Sequence, residues 1–350
     1  MRMEEIKEIA NAVLYEGYLL YPYRRSAIKN RQRWTYGVVY PREYSQANGG
    51  IEPWTMRTEC LVTGTVDTSL DIYIRFLHLL KCSPVKTETM SPATQDGGDA
   101  NEWSLANRFA DEPWEEGVER EVSMLNLRLS DLLDHPQVVE IDFPGRRLEE
   151  DPFDAPEAAI VREQKPLAGA VVIAAERVST DLFKLSVQIE NRTPQTGELT
   201  SNTVMLHSFI STHTIFRVRQ GIFNSLMDQP EALKDIAQGC KNLGTWPVLV
   251  GNEGECDAML SSPIILYDYP QIAPESPGSL FDGTEIDEIL TLRIMTLTEE
   301  EKQEMRQGDE RVREILERTE ALSPEQFMKL HGVIRSLRPV DEGREHEQHE

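Results

Sequence analysis

The sequence predicts an α+β fold: a β-sandwich-like or distorted-barrel body over residues 1 to 275, then a helical C-terminal segment over 276 to 338. Three observations lead there. Several runs alternate apolar and polar residues with the period of a half-buried strand, the clearest being "GAVVIAAERVSTDLFKLSVQIENRTP" from Gly169. Polar turn signals separate these runs at short intervals, as in a sandwich or barrel. Beyond residue 284 the alternation stops and capped helical patterns take over.

Taken in order, residues 3 to 15 place Ile6, Ile9, Ala10, Val13 and Leu14 on one helical stripe, with Gly17 as a stop. "TMRTECLVTG" (55 to 64) and "SLDIYIRFLHLL" (69 to 80) read as strands; in the second, Ile72, Ile74, Phe76, His78 and Leu80 share a face. Residues 83 to 107 are rich in Ser, Thr, Pro and Gly and read as a long flexible loop. "VEREVSMLNLRLSDLL" (118 to 133) and "QVVEIDF" (137 to 143) are strand-like. Four prolines and many acids mark 144 to 168 as a connector. The run from Gly169 gives strand, tight turn, strand, and "NTVMLHSFISTHTIFRVRQGIF" adds one or two more. "EALKDIAQGCKN" follows Pro230 and ends in glycine, as a helix would. Between 245 and 283 only "PIILYDY" looks like a strand. Thr298 and Glu301 have capping-box spacing, and Ser323, Pro324 and Gln326 open a last helix. The resulting division is 1 to 143, a connector at 144 to 168, a second β-rich part at 169 to 275, helices at 276 to 338 and a charged, disordered tail at 339 to 350.

Sixty acids against 36 bases give a net charge of -24. That field repels phosphate, so general nucleic-acid and anionic-membrane binding are not expected, and basic partners are favoured. Four scattered cysteines (Cys60, Cys82, Cys240, Cys256) form no CxxC pair, neither a disulfide framework nor a zinc knuckle. The acidic, amphipathic start lacks the apolar core of a secretory signal, and no apolar run nears the roughly 20 residues of a spanning helix. A cytoplasmic protein without membrane insertion is the expectation.

The chemistry-bearing residues are dispersed. His207 and His213 are six apart on a strand, about 20 Å, and His78 and Cys82 about 13 Å, too far to share a metal. His346 and His349 sit in the tail. Ser211 and His213 read as same-face neighbours about 7 Å apart, beyond a direct hydrogen bond. Asp282, Glu285, Asp287 and Glu288 suit the positive end of a helix dipole. There is no GxSxG, Walker A loop or GxGxxG. No catalytic residue, metal site or cofactor is predicted. The alternative is an enzyme or small-ligand-binding module whose polar pocket draws on residues 208 to 213, 267 to 275 and 281 to 288, with His213, Asp268, Glu275 and Asp282 as candidates.

One stretch breaks the acidic pattern. Leu20 to Arg42 carries six cations (Arg24, Arg25, Lys29, Arg31, Arg33, Arg42), five aromatics (Tyr21, Tyr23, Trp34, Tyr36, Tyr40) and no acid. Arginines stacked on rings and paired with the protein's own acids would make it internal structure. An exposed set would make it a docking face, because Arg and aromatic residues anchor interfaces. Arg24, Arg31, Arg33, Trp34 and Tyr36 are its candidate contact residues.

"LYEGYLLYPYRRSAIKNRQRWTYGVVYPREY", "SFISTHTIFRV", "NLGTWPVLVG", "MLSSPIILYDYPQIAPESPGSLFDGTEIDEILTLRIMTLTEEEK" and "RTEALSPEQFMKLHG" together resemble an uncharacterised bacterial family encoded beside actinobacterial-type, high-affinity uptake [NiFe]-hydrogenases. The resemblance spans nearly the whole chain except 83 to 115 and 144 to 168. It implies an accessory or scaffold protein for hydrogenase assembly, maturation or electron-transfer docking, with hydrogenase subunits or other proteins of that gene cluster as partners. It carries no catalytic residues with it.

Overall fold

The two strands expected between 55 and 80 are one: β1 runs Thr55–Lys86, 32 residues without a break. Straight, it would span about 105 Å, and instead it bends and changes neighbours along its length. Thr55 to Thr63 pair with β7 (Leu182–Asn191), Ser69 to Leu77 with β8 (Ile210–Asn224), Ser69 to Cys82 with β2 (Trp114–Arg128), and Leu80 to Lys86 with β5 (Ala158–Gln164). The bend lies between Gly64 and Ser69, where β1 carries extra residues against Gly221 to Arg219. Thr68 Oγ1 fills the corner, accepting from Thr65 N at 2.9 Å and donating to Gln220 O at 2.8 Å. A Cβ on Gly221 would stand 2.8 Å from Thr63 O, so the two strands approach this closely only at glycine.

The structure is a computed structural model, and it describes residues 3–15, 35–86, 113–150, 158–194, 197, 199–201, 203–271, 287–306 and 310–323. The chain divides into two compact units, Met1–Gln271 and Ile272–Glu350. In the first, an antiparallel sheet has the order β3-β6-β7-β1-β8-β10-β9, with β2 and β5 paired to β1 and β4 paired to β5. The remaining strands are β3 (Gln137–Phe143), β4 (Arg146–Glu150), β6 (Leu167–Arg177), β9 (Trp246–Leu249) and β10 (Ala258–Ser262). The sheet does not close, and it folds over its own inner face as a sandwich-like body.

Period-two burial separates the faces. Cys60, Val62, Leu70, Ile72, Ile74 and Phe76 of β1 meet Val171, Phe183, Val187, Phe216 and Met259 in the inner core, joined by Leu129 and Leu132 of a short helix α3 (Leu129–Asp134). Phe76 and Phe209 lie with ring centroids 4.6 Å apart. Truncating one such buried ring to Ala costs about 3–5 kcal/mol. The outer face is covered by helices. Helix α1 (Met3–Tyr15) sets Ile6, Ile9, Ala10 and Val13 against Ile215, Val248, Val250 and Leu260, the stripe expected from sequence. Helix α4 (Lys234–Gln238) lays Ala237 on Leu61 and Leu182.

Several expectations need correction. The stretch 144 to 168 is not a connector: it holds β4 and β5, paired in register from Arg146↔Gln164 to Glu150↔Ile160. Pro144 and Pro166 stand between strands and interrupt no ladder. Residues 83 to 86 belong to β1, and 118 to 133 ends as helix α3 from Leu129. "PIILYDY" keeps its alternation, with Ile265 and Tyr267 exposed, but pairs with no strand. The strands there are β9 and β10. Pro247 is tolerated in β9 because it forms the end of the sheet path, and all five residues of β10 are buried, so it shows no alternation.

In the second unit the described helices are α5 (Asp287–Met295), α6 (Glu299–Arg306) and α7 (Glu310–Glu320). Thr298 and Glu301 form the expected capping box: Thr298 N donates to Glu301 Oε2 at 2.9 Å and Glu301 N to Thr298 Oγ1 at 3.3 Å. Lys302 and Arg306 both reach Glu320, tying α6 to α7. Among the described residues no helix is long and apolar enough to cross a membrane.

Candidate functional site

Of the five residues expected at a docking face, Arg24, Arg31, Arg33 and Trp34 lie outside the described residues. Tyr36 is described, and its backbone is fixed. Tyr36 O and Gly37 O accept from Ser211 N and Thr212 N, each at 3.0 Å, and Val39 and Phe209 exchange bonds of 2.9 and 3.1 Å. Gly37 has φ +56°, and a Cβ there would stand 2.7 Å from the Pro263 ring. On this anchored segment the Tyr36 side chain is 40% exposed. Beside it in sequence, helix α2 (Arg42–Ala47) builds an aromatic corner. Tyr40 and Tyr44 stack at 5.8 Å, and the Arg42 guanidinium lies 4.7 Å over the Trp54 ring. Burial, then the charges of Glu52 and Tyr44, push the Tyr40 hydroxyl pKa up. Ile51 nearby is 84% exposed.

The alternative pocket is not assembled by its described members. Glu275 and Asp282 lie outside the described residues. His213 stands near the start of β8, whereas Asp268 bonds Ser225, just beyond its end, at 2.5 Å, and Leu249 N at 2.7 Å. Twelve residue steps along β8 separate the two places, about 40 Å if straight. Asp268 anchors its own segment.

Ser211 and His213 are not simple same-face neighbours either. A bulge sits between the pairs Arg75↔His213 and Leu77↔Ile210, and Ser211 takes φ +53°, a left-handed conformation rare outside glycine. The His213 Nδ1–H donates to Ser211 O at 2.9 Å, which leaves Nε2 as a bare lone pair. Nε2, Ser211 Oγ and Thr212 Oγ1 are buried without partners. Burial first, then the Arg75 charge, lower the His213 pKa to about 3. Across the ladder, Arg75 Nη2 donates to Asn11 Oδ1 at 2.8 Å and Glu119 Oε2 at 3.1 Å, and Nε lies 3.6 Å from Glu121. Lys7 and Tyr15 of α1 reach the same two glutamates. This is a clamp that holds α1 on the sheet. Ser211, Thr212 and His213 are fully buried, and Arg75 beside them is buried as well.

A second polar cluster sits on the inner face, and neither motif nor spacing announces it. Phe76 pairs with Arg120, and His78 with Val118, so Arg120 and His78 leave β2 and β1 on the core side. Arg120 Nη2 donates to Gln164 Oε1 at 2.9 Å, and its guanidinium lies 4.7 Å over the Phe143 ring. The His78 ring lies 6.3 Å from the same Phe143, with Nε2 2.8 Å from Lys165 O. Arg146 stands opposite Gln164 in the next ladder. Burial lowers the His78 pKa to about 4, against the Lys165 hydrogen bond and with help from Arg120, Arg146 and His207. His207 is lowered too, by burial and then Lys165.

The cysteines are poor nucleophiles. Burial raises the Cys60 thiol, with the Cys240 and Glu59 charges adding, and raises Cys240 to about 11. Among the described residues no three His, Cys, Asp or Glu side chains converge as a metal site. No family model matches the chain, and no curated protein matches it.

Proposed function

We propose that the chain is a cytoplasmic accessory or scaffold protein of a [NiFe]-hydrogenase, acting in assembly, maturation or electron-transfer docking by contact with hydrogenase subunits. The family resemblance supplies the partner. One structural observation supports the mode of action: the segment leaving the basic stretch is pinned to β8 and presents Tyr36, next to a corner where Arg42 lies on Trp54 beside the exposed Ile51. Arginine and large rings on a rigid backbone lose little entropy on docking and suit interface centres. The net charge of -24 would steer a basic surface of the partner toward the body while the cationic stretch fixes register.

The test is capture of purified hydrogenase subunits by the full chain. Arg42→Glu with Ile51→Asp changes two exposed positions and is expected to weaken capture at least tenfold while leaving the melting temperature within about 2 °C. Arg31→Glu with Arg33→Glu should do the same. Undiminished capture by both double variants would remove this face from the proposal.

A further inference from the structure

The inner-face cluster goes beyond docking, and it does not depend on that reading. Its two guanidinium groups have no carboxylate. Among the described residues neither Arg120 nor Arg146 takes part in an ion pair, in a chain where 60 acids outnumber 36 bases. On the same strands Glu116 pairs with Arg162 at 2.5 Å, and Glu163, on the other face, pairs with Lys165 at 2.6 Å. Arg120 gives one N–H to Gln164, and its Nε–H is buried with no acceptor. Arg146 lies opposite Gln164, so its side chain leaves the sheet on the same face as Arg120. Two like charges flanking one amide oppose each other, and the Arg120 pKa falls through burial and then Arg146.

His78 supplies the complementary half. Its Nε2 faces the Lys165 carbonyl, an acceptor, so Nε2 carries the hydrogen. Nδ1 is then a lone pair, buried and without a partner, on a residue that is 0% exposed. A lone pair accepts only from a donor. His207 Nδ1 is a second buried ring nitrogen with no partner. A ligand that satisfies the whole cluster needs anionic oxygens for the guanidinium groups and an O–H for His78.

We propose that Arg120, Arg146, Gln164 and His78 form a binding site for a small protonated oxyanion, of which hydrogen phosphate is the simplest. The guanidinium N–H groups donate to the charged oxygens, and His78 Nδ1 accepts the ligand hydroxyl. Sulfate has the same shape and charge but no proton at neutral pH, so it sets its own oxygens against that lone pair and is rejected. Arg146 is exposed and Arg120 half-buried, so the guanidinium end of the site meets solvent, with the fully buried His78 at its inner end. The overall acidity repels free anions at a distance and leaves this local pair to capture them.

The test is calorimetric titration of the full chain at constant ionic strength and pH 7 with sodium phosphate, methyl phosphate, sodium bicarbonate and sodium sulfate. Saturable binding of at least one of the first three is expected, with sulfate at least tenfold weaker. Methyl phosphate, mostly a dianion without an O–H at pH 7, should bind more weakly than phosphate there and tighten at pH 6 as its protonated form grows, and bicarbonate exceeding phosphate would assign a carbonate; either keeps the site. Arg146→Gln, at an exposed position, should weaken the bound anion tenfold or more. Arg147→Gln, which faces Glu163 on the other side of the ladder, should leave it unchanged. Sulfate binding as tightly as phosphate, no saturable heat from any of the three, or an unaltered Arg146→Gln titration would each overturn the proposal.

Discussion

Arg75 and Arg120 stand within one β1–β2 ladder, a residue apart in register, and point to opposite faces. Arg75 points outward and its charge is matched: Asn11, Glu119 and Glu121 surround it, its side chain is only 7% exposed, and one donor, Nη1, is buried without an acceptor. Arg120 points inward and is not matched: an amide, a ring and another arginine surround it. The same side chain on the same strands is a fastener in one place and an open valence in the other. A charge whose counter-charges are built in holds structure together, and one whose neighbours leave it cationic is available to a ligand.

The largest effect that sharpens this contrast is in stability. Arg75→Met leaves Glu121 to Lys7 and Glu119 to Tyr15 and releases Asn11, so α1 loses the buried part of its clamp. Breaking a fully buried pair costs about 3–5 kcal/mol. Both glutamates are about a third exposed, so the expected loss is about 2–3 kcal/mol in urea unfolding. Arg120→Met keeps the apolar stem over Phe143, removes an unmatched N–H and relieves Arg146, at the cost of one bond to Gln164. Its stability should stay within about 1 kcal/mol of the parent. Equal losses for the two variants would erase the distinction.

The paired histidines give the next effect. His213 lies on the Arg75 face and His78 on the Arg120 face, with folded pKa values lowered to about 3 and about 4. An unfolded histidine titrates near 6.5. Between those values the unfolded chain binds the extra protons, so stability rises with pH there and falls on acidification. Above pH 7 neither residue contributes a slope. Each histidine adds up to about 1.4 kcal/mol per pH unit between roughly pH 6 and its folded value. His213→Asn should remove one proton's worth of that slope, read from urea midpoints at pH 5 and pH 7. An unchanged slope would mean that His213 is charged, or solvated, in the folded protein.

Sequence made one half of this comparison partly legible and hid the other. The α1 stripe and the Thr298–Glu301 box rest on neighbours within about four residues, and the β6–β7 hairpin on two alternating runs joined by one short turn, so local periodicity reports them directly. His78 was placed on the core face by alternation alone, and it is fully buried there. Prolines misled at 144 to 168, because their meaning depends on whether they fall inside or between strands, and Pro144 and Pro166 fall between. The Ser211 bulge was invisible, since an extra residue resets the period without changing composition. The Arg120 cluster draws residues 78, 120, 146 and 164 from four strands. Only pairing register brings them together, and register is a property of the sheet rather than of any one segment.

The smallest effect tests how far the clamp reaches into solvent. Lys7 bonds Glu121 at 2.9 Å and lies 5.7 Å over the Tyr73 ring, with the lysine side chain 37% exposed and the glutamate 31%. Water and salt screen such a pair, and ordering the lysine offsets part of the attraction. Lys7→Ala should therefore cost only about 0.5 kcal/mol, falling toward zero in 0.5 M salt. The loss from Arg75→Met should persist at that salt, because its 7% exposed guanidinium is shielded from counter-ions. The ratio of the two losses, and its growth with salt, measures burial across a single ring of charges. A Lys7→Ala loss as large and as salt-insensitive as that of Arg75→Met would show the ring acting as one buried unit from core to rim.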